Sequence, residues 1–411
     1  MLYKKQQELT FKKEINLLRN DFYYQYGGEL FQEDSFMIDA YYKPLEILSA
    51  DTYSIRKISS TLHFYLLIDV VGKGLPASVT AISITSFINY FIDKSLLEKG
   101  DFILSLLIDE VLLFIKPLLL EDEMLCAHFI TCDTKANKIT YASFSMPDIL
   151  IYDKESNLIK LQSNNKAINK QSKNFFINES TILNMKQILI SSDGLLKNKT
   201  NQSDSLYIDY IEEDFIDSFS RDDMQEKIEY RLDTQTDDIT FIFINKMDFT
   251  KELLGATSIK SSMQAVEDAQ IWQENILGSY TKNQDFIEKC NYPFRELVLN
   301  AFEHGNLGIS NAEKHNAIAN GDYWDMIEEL EKNCEKSIHI SIYKTSHFNK
   351  EFILTTITDE GDGFDTKILR DILFKKEHFN GRGVFISKRF SNGIYYNNIG
   401  NSILIINKIE N

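Results

Sequence analysis

The chain has 411 residues, 43% of them hydrophobic, which is enough for two or three domains with real cores. Its 44 basic and 61 acidic residues leave a net charge of −17 spread along the chain, which argues against nucleic acid as a partner. Cys126, Cys132, Cys290 and Cys334 form no Cys-x-x-Cys pair, which fits reduced thiols in the cytosol and argues against a disulfide framework or a zinc site.

Residues 1–19 are rich in Lys and Glu and lack an apolar core, so no signal peptide is expected there. Leu9, Ile15, Leu18 and Phe22 recur at helical spacing and predict a helix over 1–25. Two readings of it stay open: a helix packed on the next domain, or one that joins two copies in a homodimer. The apolar run 102–120 contains Asp109, Glu110 and Lys116, so it reads as a core helix and no membrane span is expected.

From 28 to 246 the pattern is mixed. Strands are expected over 36–43, 62–70, 125–132, 138–144, 149–153, 187–192 and 239–245, with long helices over 76–94 and 102–119. Residues 161–178 are polar and read as a surface hairpin and loop. This is an α+β domain with helices segregated from antiparallel strands. A second unit, 247–411, opens with a strand over 249–256 and a helix over 263–276. It continues with a helix carrying Glu296, a polar helical insertion over 311–333, and strands over 338–343, 352–358, 393–397 and 402–406.

Four aspartates of the first domain stand where an apolar strand emerges. Asp51 follows Leu-Ser-Ala, and Asp69 ends Tyr65-Leu-Leu-Ile and starts Asp69-Val-Val-Gly-Lys-Gly74. Asp193-Gly194 ends Ile188-Leu-Ile-Ser-Ser, and Asp237-Asp238-Ile-Thr240 precedes the last strand. One strand-end aspartate is ordinarily a turn residue. Four can converge on a hard cation, and carboxylates without histidine or thiolate favour Mg²⁺ or Mn²⁺.

In the second unit, Glu296, Asn300 and Glu303 fall on one side of a helix that ends in His304-Gly305-Asn306. Asp359-Glu-Gly-Asp-Gly-Phe364 and Gly381-Arg-Gly383 follow. Asp359 ends an apolar strand, where a carboxylate can accept from an amino group. Gly361 and Gly363 permit close backbone approach, and Gly381-Arg382-Gly383 precedes an apolar helix whose free N–H groups can face phosphate. Asn300 offers an oxygen to Mg²⁺.

The three motifs of the second unit, in this order, resemble the GHKL ATP-binding domain, whose fold is the Bergerat α/β sandwich. The resemblance covers about 250–408. It implies an ATP and Mg²⁺ site formed by Asn300, Glu303, His304, Gly305, Asn306, Asp359, Gly361, Gly363, Gly381, Arg382 and Gly383. None of the seven histidines lies on a helical hairpin ahead of this domain, so the anti-sigma-factor serine kinases are the branch it resembles. Glu296 would then be the general base on an acceptor hydroxyl.

Residues 28–246 resemble the SpoIIE-like branch of the PPM serine phosphatases, through Asp69-Val-Val-Gly-Lys-Gly-Leu-Pro-Ala, Ser192-Asp193-Gly194 and Asp237-Asp238-Ile-Thr. The resemblance implies an antiparallel β-sandwich flanked by helices. It also implies two Mn²⁺ or Mg²⁺ ions held by Asp51, Asp69, Asp193, Asp237 and the Val70 carbonyl, with Asp69 and Asp193 as catalytic residues. Ser49-Ala50-Asp51 stands where that family has Gly-Gly-Asp, and Asn198 stands where an acidic residue often follows Asp-Gly.

Together the two resemblances imply a bifunctional regulator of partner switching in the cytosol. It would remove phosphate from a phosphoserine on a STAS-domain anti-sigma-factor antagonist, and would phosphorylate such a serine or bind a sigma factor. Two alternatives stay open: a phosphatase whose GHKL domain only senses ATP, and a non-catalytic anti-sigma scaffold.

Overall fold

The computed structural model describes residues 17–72, 74–202, 205–369 and 387–409, together with Leu9 and Lys13. The chain forms two compact units. Gly28–Met247, with the residues before Tyr23, makes the first; Asp248 onward, with Tyr23–Gly27, makes the second.

The first unit is built on two packed sheets. One runs Arg19–Asn20, Asp51–Lys57, Leu62–Val70, Leu125–Asp133, Lys138–Phe144, Asn178–Thr181 in spatial order. The other runs Phe36–Lys43, Ile239–Lys246, Met185–Ser191, Ile149–Asp153, Leu158–Leu161. Apart from the short parallel contact of Arg19–Asn20, these pairings are antiparallel.

Strand alternation assigns every side chain to a layer. In Leu62–Val70, Phe64, Leu66, Ile68 and Val70 face a helical layer, Leu75–Lys99 and Leu104–Ile115. Tyr65 and Leu67 face the second sheet, where they meet Ile188, Ile190, Ile242 and Ile244. The second sheet's other face, with Leu189, Phe241 and Phe243, packs on helices Ile211–Asp217 and Arg221–Arg231. Each fully buried side chain of this size contributes ~1.5–3 kcal/mol.

The Leu75–Lys99 helix starts after Gly74 at φ 74° with a proline in its first turn, and stops at Gly100 in the left-handed conformation. By length and hydropathy Leu75–Glu98 is apolar enough to cross a bilayer, yet half of it is buried, with Ala81, Ile84, Ile88 and Ile92 fully enclosed.

The strand Asp51–Lys57 was not expected from the sequence, because its polar residues mask the alternation. Tyr53 and Ile55 face the inter-sheet core, whereas Thr52, Ser54 and Arg56 face the long helix. Thr52 and Thr85 share a 2.6 Å hydrogen bond, and Ser54 donates to Asn89 at 2.6 Å. Arg56, only 2% exposed, donates to Asp21 at 3.0 Å and to Asp93 at 2.5 Å. Burial opposes ionisation of Asp21, but the Arg56 and Arg19 guanidiniums outweigh it and hold its carboxyl below its usual range.

The helix expected over 1–25 does not reach residue 25. Residues Arg19–Asn20 and Tyr26–Gly27 are short strands, and Tyr24 is left-handed at φ 53°. The Phe22 N–H is satisfied by the Asn20 side chain at 2.9 Å instead of a helical carbonyl.

The second unit is a two-layer α/β sandwich. Its sheet runs Lys251–Lys260, Ser337–His347, Lys350–Asp359, Ser402–Lys408, Gly393–Tyr396, all antiparallel. Helices Met263–Tyr280 and Gln284–Asn300 bring Val266, Ala269, Phe294, Leu297 and Val298 onto a core with Ile338, Ile340, Ile357, Ile403 and Ile405. Tyr24 joins that core. The insertion forms two short helices, Asn311–Asn320 and Tyr323–Lys332, the first closed by a Ser310–Glu313 capping box.

Replacing Arg56 by alanine leaves Asp21 without its buried partner and strips the bonds between sheet and helix. The first unit should lose about 3–5 kcal/mol of stability in urea unfolding, and a loss under ~1 kcal/mol would refute this role.

Candidate metal centre and candidate nucleotide site

The alternation that builds the first core also delivers its carboxylates. Asp69 has the parity of Tyr65 and Leu67, so it faces the inter-sheet space at the open end of its strand. In register beside it stand Asp51 on one neighbouring strand and Cys126 on the other. From the opposite sheet come Ser192 and Thr240, whose backbones pair at 2.9 Å, with Asp193 and Asp238 adjoining them.

Asp193 opens the short helix Asp193–Lys197. Gly194 lies so close to the other aspartate loop that a Cβ would stand 2.2 Å from the Asp238 carbonyl oxygen and 3.3 Å from the Asp237 carboxyl carbon. The contact therefore requires glycine. Asn198, fully buried, ties the same two loops: its amide donates to the Gly194 carbonyl at 2.7 Å and its oxygen accepts from Thr236 N–H at 2.6 Å. Asn198 thus holds the two loops at a fixed separation. Asp238 turns away to the loop before Asp51, accepting from Leu45 N–H at 2.7 Å and Ala50 N–H at 2.8 Å.

The electrostatics show what these carboxylates lack. Burial, reinforced by Asp51, Asp193 and Asp237, pushes the Asp69 carboxyl up to about 9. Burial also raises Asp51 to about 8, with Asp238 and Asp237 adding to the shift and the nearby Ser192 and Thr240 hydroxyls opposing it. One Asp51 carboxylate oxygen is enclosed without a hydrogen-bond partner. Among the described residues, Lys197 faces the group and donates to Asp193 at 2.5 Å from an otherwise exposed position. Among the described residues no three such side chains close around one point. Buried oxygens that repel one another fit divalent cations, and an all-oxygen donor set suits Mg²⁺ or Mn²⁺.

In the second unit Glu296 and Asn300 lie half-buried on the last turns of Gln284–Asn300. The chain then widens into a π-helix, Ala301–Asn306, a distortion common at functional sites. This places Gly305 against Asp359 at the end of its strand. A Cβ on Gly305 would stand 2.5 Å from the Asp359 carboxyl carbon, and one on Gly361 2.2 Å from the Gly305 carbonyl oxygen. Gly363 is left-handed at φ 74° and approaches Ile399 equally closely. Asp359 accepts from Gly361 N–H at 2.8 Å, and burial raises its carboxyl to about 6.

Two residues of the expected nucleotide set are committed elsewhere. Glu303 is fully buried and bonded to Lys314 and Tyr323 of the insertion. Asn306 donates to Ser261 at 2.7 Å and to the Ser337 carbonyl at 3.0 Å, and accepts from Glu360 N–H at 2.8 Å. His304 Nδ1 lies 2.5 Å from the Ile309 carbonyl oxygen. Gly381, Arg382 and Gly383 lie outside the described residues.

Sequence reasoning missed Lys197, although it stands four residues after Asp193 on one helix face. It also missed the bridging role of Asn198, for which no sequence signal exists, because the bridge runs to a loop nearly forty residues away.

Residues 61–246 match the family model described as Stage II sporulation protein E (SpoIIE). That stretch is a SpoIIE-type domain, of the PPM class of serine phosphatases. No curated protein matches the chain. Among solved structures, the RsbU and RsbW domains of Rv1364c from Mycobacterium tuberculosis align at 13% identity and TM-score 0.44, over 91% of this chain and 94% of that one. The SiaA PP2C domain of Pseudomonas aeruginosa aligns at 14% and 0.46, over 59% of this chain and 96% of that one. The PP2C domain of SpoIIE from Bacillus subtilis, with a fragment of its regulatory domain, aligns at 12% and 0.42, over 51% and 63%.

Two outcomes follow. A carboxyl raised by folding stabilises the fold while protonated, and that contribution is lost as pH rises through its folded value. The loss accumulates from the ordinary value of 3.8 up to about 9, so metal-free protein should melt at progressively lower temperature as pH goes from ~6 to ~9, and Mn²⁺ should reverse the loss. A melting temperature indifferent to Mn²⁺ at pH ~9 would contradict the metal assignment. Asn198→Ala should weaken Mn²⁺ binding by about tenfold or more in calorimetry, the range for groups that orient ligands.

Proposed function

We propose that this chain is a partner-switching regulator that hydrolyses phosphoserine on a STAS-domain anti-sigma-factor antagonist, with an ATP-binding, GHKL-type second unit. The observation that carries the first half is the buried Asp69 carboxyl, raised by Asp51, Asp193 and Asp237, within a SpoIIE-type domain. Those four carboxylates, with the Val70 carbonyl, would hold two Mn²⁺ or Mg²⁺ ions. Bound there, the cations supply an acidified water and neutralise charge on the phosphoryl group. The protein's own part is to fix the ligands. Strand register sets Asp51 beside Asp69, and Gly194 and Asn198 set Asp193 beside Asp237.

For the second unit, the reading rests on the close fit of Gly305 and Gly361 around Asp359. Asp359 would accept from the adenine amino group, and its burial, which favours the uncharged carboxyl, suits a neutral partner of that kind. Asn300 would ligate the nucleotide's Mg²⁺, and Glu296 would act as general base toward a serine hydroxyl. His304, Gly305, Gly361 and Gly363, with Gly381, Arg382 and Gly383, complete the proposed nucleotide set. Glu303 and Asn306 support it from behind by fixing the π-helical end. A sigma factor is the second proposed partner of this unit.

The deciding experiment incubates the full chain with a phosphorylated STAS-domain protein and Mn²⁺, and separately with its unphosphorylated form and ATP·Mg²⁺. Asp69→Ala should reduce phosphate release by at least ~10³-fold, comparable to the loss of other central catalytic groups. Asn300→Ala should abolish ATP binding. Glu296→Gln should keep ATP binding and lose phosphotransfer. Wild-type protein that binds ATP without transferring phosphate would reduce the second unit to a nucleotide sensor.

A further inference from the structure

Each backbone N–H of the turn Asp359–Gly361 has a fixed acceptor. Asp359 donates to the Asn401 carbonyl at 2.9 Å, Glu360 to the Asn306 side chain at 2.8 Å, and Gly361 to Asp359 Oδ1 at 2.8 Å. The last bond commits Oδ1 to the turn, so Oδ2 is the oxygen that a ligand would meet.

Asn401 closes the turn from the other side. Its Nδ2 donates to the Asp359 carbonyl at 3.2 Å and to the Gly361 carbonyl at 3.4 Å. One amide thus spans the same two residues that the Oδ1 bond joins. That amide is itself oriented, because Asn397 Nδ2 donates to Asn401 Oδ1 at 2.8 Å. Asn397 Oδ1 in turn accepts from the N–H groups of Gly400, Asn401 and Ser402 at 2.7, 3.1 and 3.2 Å. The two segments also interlock by shape. Phe364 N–H donates to the Ile399 carbonyl at 3.0 Å, and a Cβ on Gly400, left-handed at φ 89°, would stand 2.2 Å from the Phe364 carbonyl oxygen.

This scaffolding exceeds what chain connectivity needs, and it converges on one carboxyl. A hydrogen bond weakens steeply once its donor and acceptor are misaligned, so a carboxyl that reads an amino group has to be aimed. Above its value of about 6 the Asp359 carboxyl is ionised and only accepts, which favours an amino group and repels a carbonyl oxygen in the same place.

We infer that Asn401 is a positioning residue: by spanning the Asp359 and Gly361 carbonyls it aims the Asp359 carboxyl, and so sets a preference for purine nucleotides with a 6-amino group over those with a 6-oxo group. The inference rests on the nucleotide reading above and deepens it by assigning base selectivity to a residue outside the proposed nucleotide set.

The test is calorimetric titration of the full chain at about pH 8 with ADP·Mg²⁺ and IDP·Mg²⁺, which differ at the 6-position and carry no γ-phosphate to transfer. Wild type should bind ADP at least about tenfold more tightly than IDP. Asn401→Ala should bring that ratio below about threefold by weakening ADP and sparing IDP. A variant that keeps the ratio, or that weakens both nucleotides equally, overturns the inference. Asn397→Asp keeps an acceptor for the N–H groups of its own turn and removes the donor that orients Asn401. It should lower the ratio in the same direction, and it carries the comparison if Asn401→Ala does not fold. Wild type that binds both nucleotides equally overturns the inference and leaves nucleotide binding standing. Wild type that binds neither removes the nucleotide reading, and the inference with it.

Discussion

Charge held at the end of an apolar interior has no water to dissolve in, and the first unit is arranged around that constraint. Asp51 and Asp69 continue the inward-facing rows of an otherwise apolar sandwich. Burial and mutual repulsion drive both carboxyls to hold protons far above the usual carboxylate range. Such a cluster persists only because the strands around it are fixed by independent bonds. Arg56, Thr52 and Ser54 lock the Asp51 strand to the long helix, and Asn198 locks the two loops of the opposite sheet. Cations are the partners that such a group of oxygens lacks.

The second unit solves a different problem, the close approach of backbone to backbone. Gly305, Gly361, Gly363 and Gly400 sit where a single methyl group would collide with a carbonyl or a carboxylate. The π-helical widening after Asn300 is what lets the helix end reach Asp359. Glu303 and Asn306 are spent on holding that end in place, toward the insertion on one side and the sheet on the other. The insertion, which reads as featureless in sequence, thereby acquires a structural task through Lys314 and Tyr323.

Elements with a pure pattern were legible in advance. Leu62–Val70 and Ile239–Lys246 are strongly β-forming and bounded by turn residues, and their positions follow from composition alone. Asp51–Lys57 escaped because its buried face toward the helix is polar and satisfied by Thr85 and Asn89, so burial left no hydrophobic trace. The first helix was extended too far for the converse reason. Phe22 does carry apolar weight, but it spends it in the core of the sandwich from a non-helical backbone, and Leu18 is buried just before the first short strand.

The sequence by itself determined which residues could carry the chemistry. Strand-end aspartates, glycine spacing and the Glu296–Asn300 helix face are local features, set by periodicity over a few residues. Only the tertiary structure decided which of them meet. Asp51, Asp69, Asp193 and Asp237 come from two sheets, and nothing short of the sheets' packing places them at one end. The same holds for Asn198 as a bridge and for Glu303 as a buried anchor. Their roles depend on neighbours distant in the chain, and long-range proximity is what a one-dimensional pattern does not encode.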